Sequence, residues 1–354
     1  VTKVRWGILG TGGIAAELAT ALRLVPDAEL AVVASRNLDR AKEFARAHHV
    51  ERAVVGRDAL AARLDVDVVY VATPNASHLG DVVALVEAGR AVVCEKPFAT
   101  SGADARAIAA VARRRGVFCM EAMWMRFAPV MRDLHSLVTS GEIGEVRMVV
   151  AQLGMPFGPG HRVLDVGPGG GVLLDLGVYP ISFAMSVLGR PTTVLAHTVA
   201  GSSGVDEQVV VILEFSGGRQ AVLTMSARSR TANDATVLGS EGMIRVNEPL
   251  YCPESITVTR SRIIGSTPKR GTAGRLARVT NAALVRKVRS IVRRAKTKTV
   301  TRRLLGAGYA HEIIEVNRCL RAGERECASM SLDDSIAVAE VVDEIRRVTK
   351  RAEG

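Results

Sequence analysis

Apolar and polar positions along the chain follow two rhythms. In the first third, short apolar runs alternate with segments of helical spacing. The runs are Val4–Leu9, Leu30–Ala34, Ala53–Val55, Val66–Ala72, Ala91–Cys94 and Val117–Glu121. Between them, helical patterns cover 16–24, 38–48, 59–64, 79–88 and 101–115. A near-continuous apolar run reads as a strand buried on both faces, and strands joined by helices make a parallel sheet. After a further helix, Pro129–Ser140, the rhythm changes. Strand candidates at 146–153, 192–199, 207–215, 219–226, 234–239, 242–246 and 255–259 follow, with turns such as Ser216-Gly217-Gly218 and Ser240-Glu241-Gly242. They predict a large open, mainly antiparallel sheet. Helices His311–Ala322 and Leu332–Lys350 complete the pattern. The expectation is a doubly wound α/β domain over 1–122 and an α+β domain over 123–354.

The first strand-to-helix turn carries chemistry. Gly10-Thr11-Gly12-Gly13-Ile14-Ala15 has the form G-x-G-x-x-A. The first glycine allows a tight turn, the second admits a pyrophosphate, and Ala15 lets helix and strand pack closely. The unpaired N–H groups of the helix then face the phosphates. This predicts a Rossmann-type dinucleotide site. The second strand ends in Ser35-Arg36 without a carboxylate at its tip, and Arg40 follows. An acidic residue there binds the ribose 2′-hydroxyl of NAD, whereas a hydroxyl and a guanidinium suit the 2′-phosphate of NADP. NADP is therefore expected, with NAD as the alternative. A solvated strand-end arginine is the other reading of Arg36.

Two more motifs follow the next long strands: Thr73-Pro74-Asn75-Ala76-Ser77-His78 and Glu95-Lys96-Pro97. Open α/β sheets bind ligands at the C-terminal ends of their strands. Lys96 is expected where a nicotinamide meets a substrate hydroxyl. In the second half, a Gly/Pro-rich loop over 154–171 precedes a helix carrying Asp175 and Tyr179. Four residues apart, these two share a helix face. Tyr179 can then reach a substrate oxygen, and Asp175 can accept a hydrogen bond from a substrate hydroxyl or from Lys96.

These motifs, with Gly169-Gly170-Gly171-Val172-Leu173-Leu174-Asp175-Leu176-Gly177-Val178-Tyr179-Pro180, resemble the glucose–fructose oxidoreductase, inositol dehydrogenase and rhizopine-catabolism (Gfo/Idh/MocA) family of NAD(P)-dependent oxidoreductases. Tyr179, Ser35-Arg36 and Glu121-Ala122-Met123-Trp124-Met125-Arg126-Phe127 look like its dihydrodiol dehydrogenase branch. The resemblance implies hydride transfer between NADP(H) and a secondary alcohol or hemiacetal carbon of a sugar, polyol or dihydrodiol. The alternatives are a sugar-nucleotide ketoreductase and a non-catalytic NADP-binding regulator on the same fold. Thr73, Pro74, Asn75, His78 and Glu95 are then expected around the cofactor, with Trp124 walling the substrate pocket and Arg126 steering a polar substrate. Lys96 is expected to lower the pKa of Tyr179, as an adjacent ammonium does. The family also implies a homodimer through the open sheet.

Charge changes the picture in one place. From Arg260 to Arg303 there are 15 Lys or Arg and no Asp or Glu, more than the whole chain's net +11, so the remainder is mildly acidic. This basic insertion departs from the family. Its Leu284, Val288, Ile291, Val292 and Ala295 fall at helical spacing, which suits an anionic membrane surface or an acidic partner, or else a solvated excursion. Nucleic acid is disfavoured because aromatics for base stacking are absent there. No apolar run reaches the ~20 residues of a membrane helix. A cytoplasmic location is expected, with peripheral membrane attachment as an option. Five cysteines, none in C-x-x-C spacing, read as scattered buried thiols, and no metal is expected.

Overall fold

The computed structural model describes residues 2–167, 169–261 and 297–352. The helical pattern at 284–295 lies outside them. Six strands form the first sheet: β1 (Val4–Leu9), β2 (Ala28–Ser35), β3 (Arg52–Val55), β4 (Val68–Val71), β5 (Ala91–Glu95) and β6 (Cys119–Ala122). Their order is β3-β2-β1-β4-β5-β6, all parallel. Helices α1 (Gly13–Leu22), α2 (Leu38–His48), α3 (Gly56–Ala61), α4 (His78–Glu87) and α5 (Gly102–Arg115) connect them. β4 and β5 are buried along their whole length, as helices on both faces require. The order reverses between β1 and β4, so the loops after those strands diverge and leave a crevice.

After α6 (Pro129–Thr139), the second sheet has eight strands in the order β14-β13-β12-β11-β7-β10-β9-β8. They are β7 (Val146–Gly154), β8 (Thr193–Ala200), β9 (Asp206–Phe215), β10 (Arg219–Ser226), β11 (Ala235–Gly239), β12 (Gly242–Val246), β13 (Ser255–Arg260) and β14 (Thr297–Thr301). All neighbours are antiparallel except β7 and β10, which run parallel in the middle. β14 is a strand that the sequence pattern conceals, because Thr297-Lys298-Thr299 carries charge at an exposed edge. Arg260 binds Glu142 and Arg302 binds Asp133, so both ends of the basic segment are anchored by paired carboxylates.

α7 (Val178–Leu188) lies on the inner face of this sheet. The chain then returns to the first domain. α8 (Tyr309–Arg321) packs on α1, and α9 (Leu332–Ala352) packs on α5. Trp6 Nε1 donates to Asn317 Oδ1 at 3.1 Å, tying β1 to α8 inside the core. Gly102 permits the closest approach of α5 to α9: a Cβ there would stand 2.9 Å from Glu340 Cγ. The two C-terminal helices thereby brace the nucleotide-binding sheet rather than the second one alone.

Candidate active site

The turn after β1 is built for a phosphate. Gly10 has φ +121°, and a Cβ there would stand 2.5 Å from the Ala72 carbonyl oxygen. Only glycine combines that conformation with that contact. Gly12 and Gly13 have open space where a Cβ would be, and no side chain caps α1. The first N–H groups of α1 therefore face a cleft of about 1060 Å³. Thr11, Ile14, Ser35, Arg36, Arg40, Thr73, Pro74, Asn75, Glu95 and Lys96 also line it. Arg36 is exposed, and neither it nor Arg40 has an ion-pair partner among the described residues. Arg57, which the sequence pattern did not single out, stands nearby on the same wall. Open glycines at a helix N-terminus, with free guanidiniums at the end of β2, fit a phosphorylated dinucleotide.

At the other end of the cleft stands Lys96. β5 delivers it, and Glu95 before it is buried, accepting from the Tyr70 hydroxyl and, at 3.0 Å, from the Lys96 amide. Burial raises the Glu95 pKa above its ordinary value. The turn after Lys96 is pinned by Glu121, which accepts from the Phe98 amide at 3.0 Å; burial pushes this carboxyl up to about 7. His78 does not join the cofactor wall. It is fully buried, with Nδ1 2.9 Å from the Pro97 carbonyl and Nε2 3.0 Å from that of Thr73. It holds the two motif loops together from beneath.

The loop over 154–171 brings the second domain to this point. Asn75 Nδ2 reaches the Gly169 carbonyl at 3.4 Å across the cleft. Leu173–Gly177 forms a π-helical turn before α7, where an ordinary helix is expected. Its start is set by Asp206, which accepts from the Leu173 amide at 2.6 Å and would collide with any side chain at Gly171. Such turns widen a helix by a residue and often mark functional positions. Here the turn carries Asp175 to Lys96. Lys96 Nζ donates to the Asp175 carbonyl at 2.9 Å and stands 3.5 Å from its Oδ1. Arg162 grips the same Oδ1 at 2.5 Å. Burial alone would raise the Asp175 pKa, but Lys96 and Arg162 outweigh it and hold the carboxylate below its ordinary value.

Tyr179 lies behind Lys96, whose Nζ sits over the ring face, 4.9 Å from the centroid. Trp124 Nε1 donates to the Tyr179 hydroxyl at 2.8 Å, and Trp124 itself stacks on Tyr309 at 4.4 Å. Tyr251 completes this aromatic group. The pKa of Tyr179 moves opposite to the expectation from the ammonium. Burial raises it well above 10, and Glu95 and Asp175 add to the shift. Lys96 faces the ring rather than the oxygen, so it cannot overcome them. Beneath, Glu312 is buried with both carboxyl oxygens lacking a partner among the described residues. Burial, with Glu95 and Glu121, pushes its pKa well above the ordinary carboxylate value. Arg126 takes no part in the cleft. Its Nε donates to Ser182 Oγ at 3.0 Å and its Nη1 to the Ser329 carbonyl at 3.3 Å, joining α7 to the approach to α9.

A glycine-turn dinucleotide cleft that ends on a lysine–aspartate pair defines an NAD(P)-binding oxidoreductase. The family model described as an oxidoreductase family, NAD-binding Rossmann fold, matches residues 4–123, and the GFO/IDH/MocA C-terminal domain matches 131–245. The chain belongs to the GFO/IDH/MocA oxidoreductase family. It is 33% identical over 97% of its length to trans-1,2-dihydrobenzene-1,2-diol dehydrogenase of Sus scrofa, covering 96% of that protein. The Danio rerio enzyme of the same name is equally similar, at 33% identity with the same coverage. Among solved structures, a 3-ketoreductase from Actinomadura kijaniata in complex with NADP and TDP-benzene superposes with TM-score 0.80 at 27% identity, with 98% of each chain covered. A levoglucosan dehydrogenase in complex with NADH and levoglucosan shares the fold, at TM-score 0.81 and 19% identity, covering 99% of this chain and 98% of that one.

Proposed function

We propose that this chain transfers hydride reversibly between NADP(H) and the CH–OH carbon of a sugar, polyol or dihydrodiol. The observation that carries this reading is Lys96: a largely buried ammonium at the end of the dinucleotide cleft, held there by Asp175 from the other domain. NADP(H), when bound, supplies or accepts the hydride. The residues of the chain manage the oxygen. Lys96 polarises the substrate oxygen, while Asp175 and Arg162 fix the ammonium in place. Tyr179 keeps its proton and donates it from the hydroxyl in the reductive direction. Trp124, by donating to that hydroxyl, leaves the tyrosine's own hydrogen to face substrate. Lysine and tyrosine variants of the matched 3-ketoreductase, both with TDP-benzene and NADP, are among the structures similar to this one. The aromatic group of Trp124, Tyr179, Tyr251 and Tyr309 supports a flat, apolar substrate ring such as that of a dihydrodiol.

The preference for NADP rests on Ser35, Arg36 and Arg40 at the end of β2. A screen of xylose-type aldoses, a trans-dihydrodiol and a keto sugar nucleotide, each with NADP(H) and NAD(H), tests the function and the cofactor together. Turnover is expected with at least one class and with NADP(H) over NAD(H). In Arg36→Ala the NADP(H) KM rises about tenfold or more while that for NAD(H) barely moves, because a guanidinium–phosphate pair contributes roughly 1.5–3 kcal/mol. Absence of turnover across all three classes with either cofactor contradicts the reading.

The homodimer is the second part of this reading. Leu195, Ile212, Val222 and Val150 pair across β8, β9, β10 and β7, forming an apolar row. Leu195 at 52% and Val210 at 45% exposure lie on that outer face. An exposed apolar sheet face is a costly surface for a monomer. Sedimentation at micromolar concentration is expected to give a dimer, and a monomer there contradicts it. No helix among the described residues is long and apolar enough to cross a membrane. A cytoplasmic location, with peripheral attachment through 260–303 as an option, remains part of the proposal. Co-sedimentation with anionic vesicles tests the attachment. Equal pelleting of the wild type and a 262–302 deletion would sink it.

A further inference from the structure

Cysteine spacing alone suggests unrelated thiols, but the fold brings two of them together far from the cleft. Glu315 and Cys319 are one turn apart on α8. The loop between α8 and α9 then folds back and sets Cys327 beside them. Cys319 Sγ lies 3.9 Å from Glu315 Oε1, and Cys327 Sγ lies 4.0 Å from the same oxygen. All three atoms fall within 4.8 Å of one another. A tetrahedral zinc ion with bonds of about 2.3 Å to sulfur and 2.0 Å to oxygen has ligand–ligand edges of roughly 3.5–3.8 Å. The two sulfur–oxygen edges thus need to draw in by about half an ångström, and the sulfur–sulfur edge by at most about 1 Å, to make one face of such a site.

Three further features bear on a ligand here. The Met330 N–H donates to the Cys327 carbonyl at 3.1 Å, which fixes the backbone that carries the sulfur. Glu324 is bound at 2.9 Å by the same Arg318 Nη2 that touches Cys319, and can supply the fourth position. A cation already occupies the space: Arg318 Nη2 stands 2.9 Å from Glu315 Oε1 and 3.2 Å from Cys319 Sγ. Arg318 is also held by Glu324 at 2.7 Å, and its side chain is 49% exposed, so it can swing out. Both sulfurs belong to fully buried residues, while Glu315 and Glu324 reach solvent and leave a route in.

We propose that Glu315, Cys319 and Cys327, completed by Glu324, bind one zinc-class divalent cation that displaces the Arg318 guanidinium. Two thiol protons leave to solvent as the two metal–sulfur bonds form, so binding weakens as pH falls. Without metal, burial holds both thiols above their ordinary pKa; a bound dication reverses that sign. The site staples the end of α8 to the loop entering α9, the two helices that brace the nucleotide-binding sheet. It shares no residue with the cleft, so it is structural.

The test is titration of the reduced, chelator-stripped full chain with cobalt(II) and then zinc. One ion per chain is expected, with a sulfur-to-cobalt charge-transfer band that zinc abolishes, and a zinc-dependent rise in Tm. Cys319→Ser and Cys327→Ser should each weaken binding at least about a hundredfold, and Arg318→Met should tighten it about tenfold by removing the resident cation. The Arg318 variant keeps the test sound if a serine variant folds poorly. No charge-transfer band, a band that survives both serine substitutions, binding unchanged in Arg318→Met, or an intact mass two hydrogens lower that reports a Cys319–Cys327 disulfide would each overturn the proposal.

Discussion

Lys96→Ala is expected to lower kcat by about 10²- to 10⁴-fold while NADPH still binds, the range for removing a general acid–base or electrostatic group from a reacting centre. The structure explains why the loss should fall on kcat. On the proposed reading, phosphate contacts come from Gly10–Gly13 and from the end of β2, which line the same cleft as Lys96. Removing the ammonium leaves these untouched. It also leaves Asp175 with Arg162 as its remaining ionic partner among the described residues, which anchors the π-helical turn. A loss confined to the chemical step is therefore the specific outcome. Fluorescence titration with NADPH, beside steady-state turnover with the best substrate of the screen, measures both halves. Near-normal turnover removes Lys96 from the reaction, and loss of NADPH binding moves its role from chemistry to the cofactor.

How much of this was legible before the fold depends on how local each signal is. The glycine turn, Ser35-Arg36 and Lys96 each follow directly after a strand, and strand ends converge on one edge of a parallel sheet. Their place in the cleft follows from local pattern plus topology. The pairing of Asp175 with Lys96 crosses 79 residues, yet the glycine loop before Asp175 hinted at it. Arg162 lay inside a loop marked only by its glycines and prolines, with no spacing to single it out. Tyr251 and Tyr309 come from a turn and a helix remote in sequence, and nothing local announces that both meet Trp124. His78 and Arg126 show the converse error. Their side chains are polar and stand in motifs, but each satisfies backbone or hydroxyl groups inside the core. Motif membership locates a residue near the site; only the fold says which way it faces.

Tyr179→Phe is expected to cut reductive kcat by about 10²-fold or more, again with NADPH binding intact, because on the proposed reading the phenol supplies the proton, and it lies behind Lys96 and does not line the dinucleotide cleft. The pH profile separates two accounts of this residue. Were an ammonium to lower its pKa, the hydroxyl would ionise between about pH 7 and pH 9, and reductive kcat/KM would fall across that window. The structure points the other way: burial, with Glu95 and Asp175, raises the pKa well above 10. The group is then fully protonated throughout that window. Since kcat/KM reports the free enzyme, its reductive value should carry no alkaline inflection from Tyr179 below about pH 10. In the oxidative direction the hydroxyl cannot serve as phenolate at neutral pH, so the proton must leave through a transiently ionised or relayed path. Oxidative kcat/KM should rise with pH across the alkaline range in the wild type, and Tyr179→Phe should flatten that rise. A reductive inflection between about pH 7 and pH 9 that disappears in Tyr179→Phe would show that Lys96, not burial, sets the ionisation of the pair.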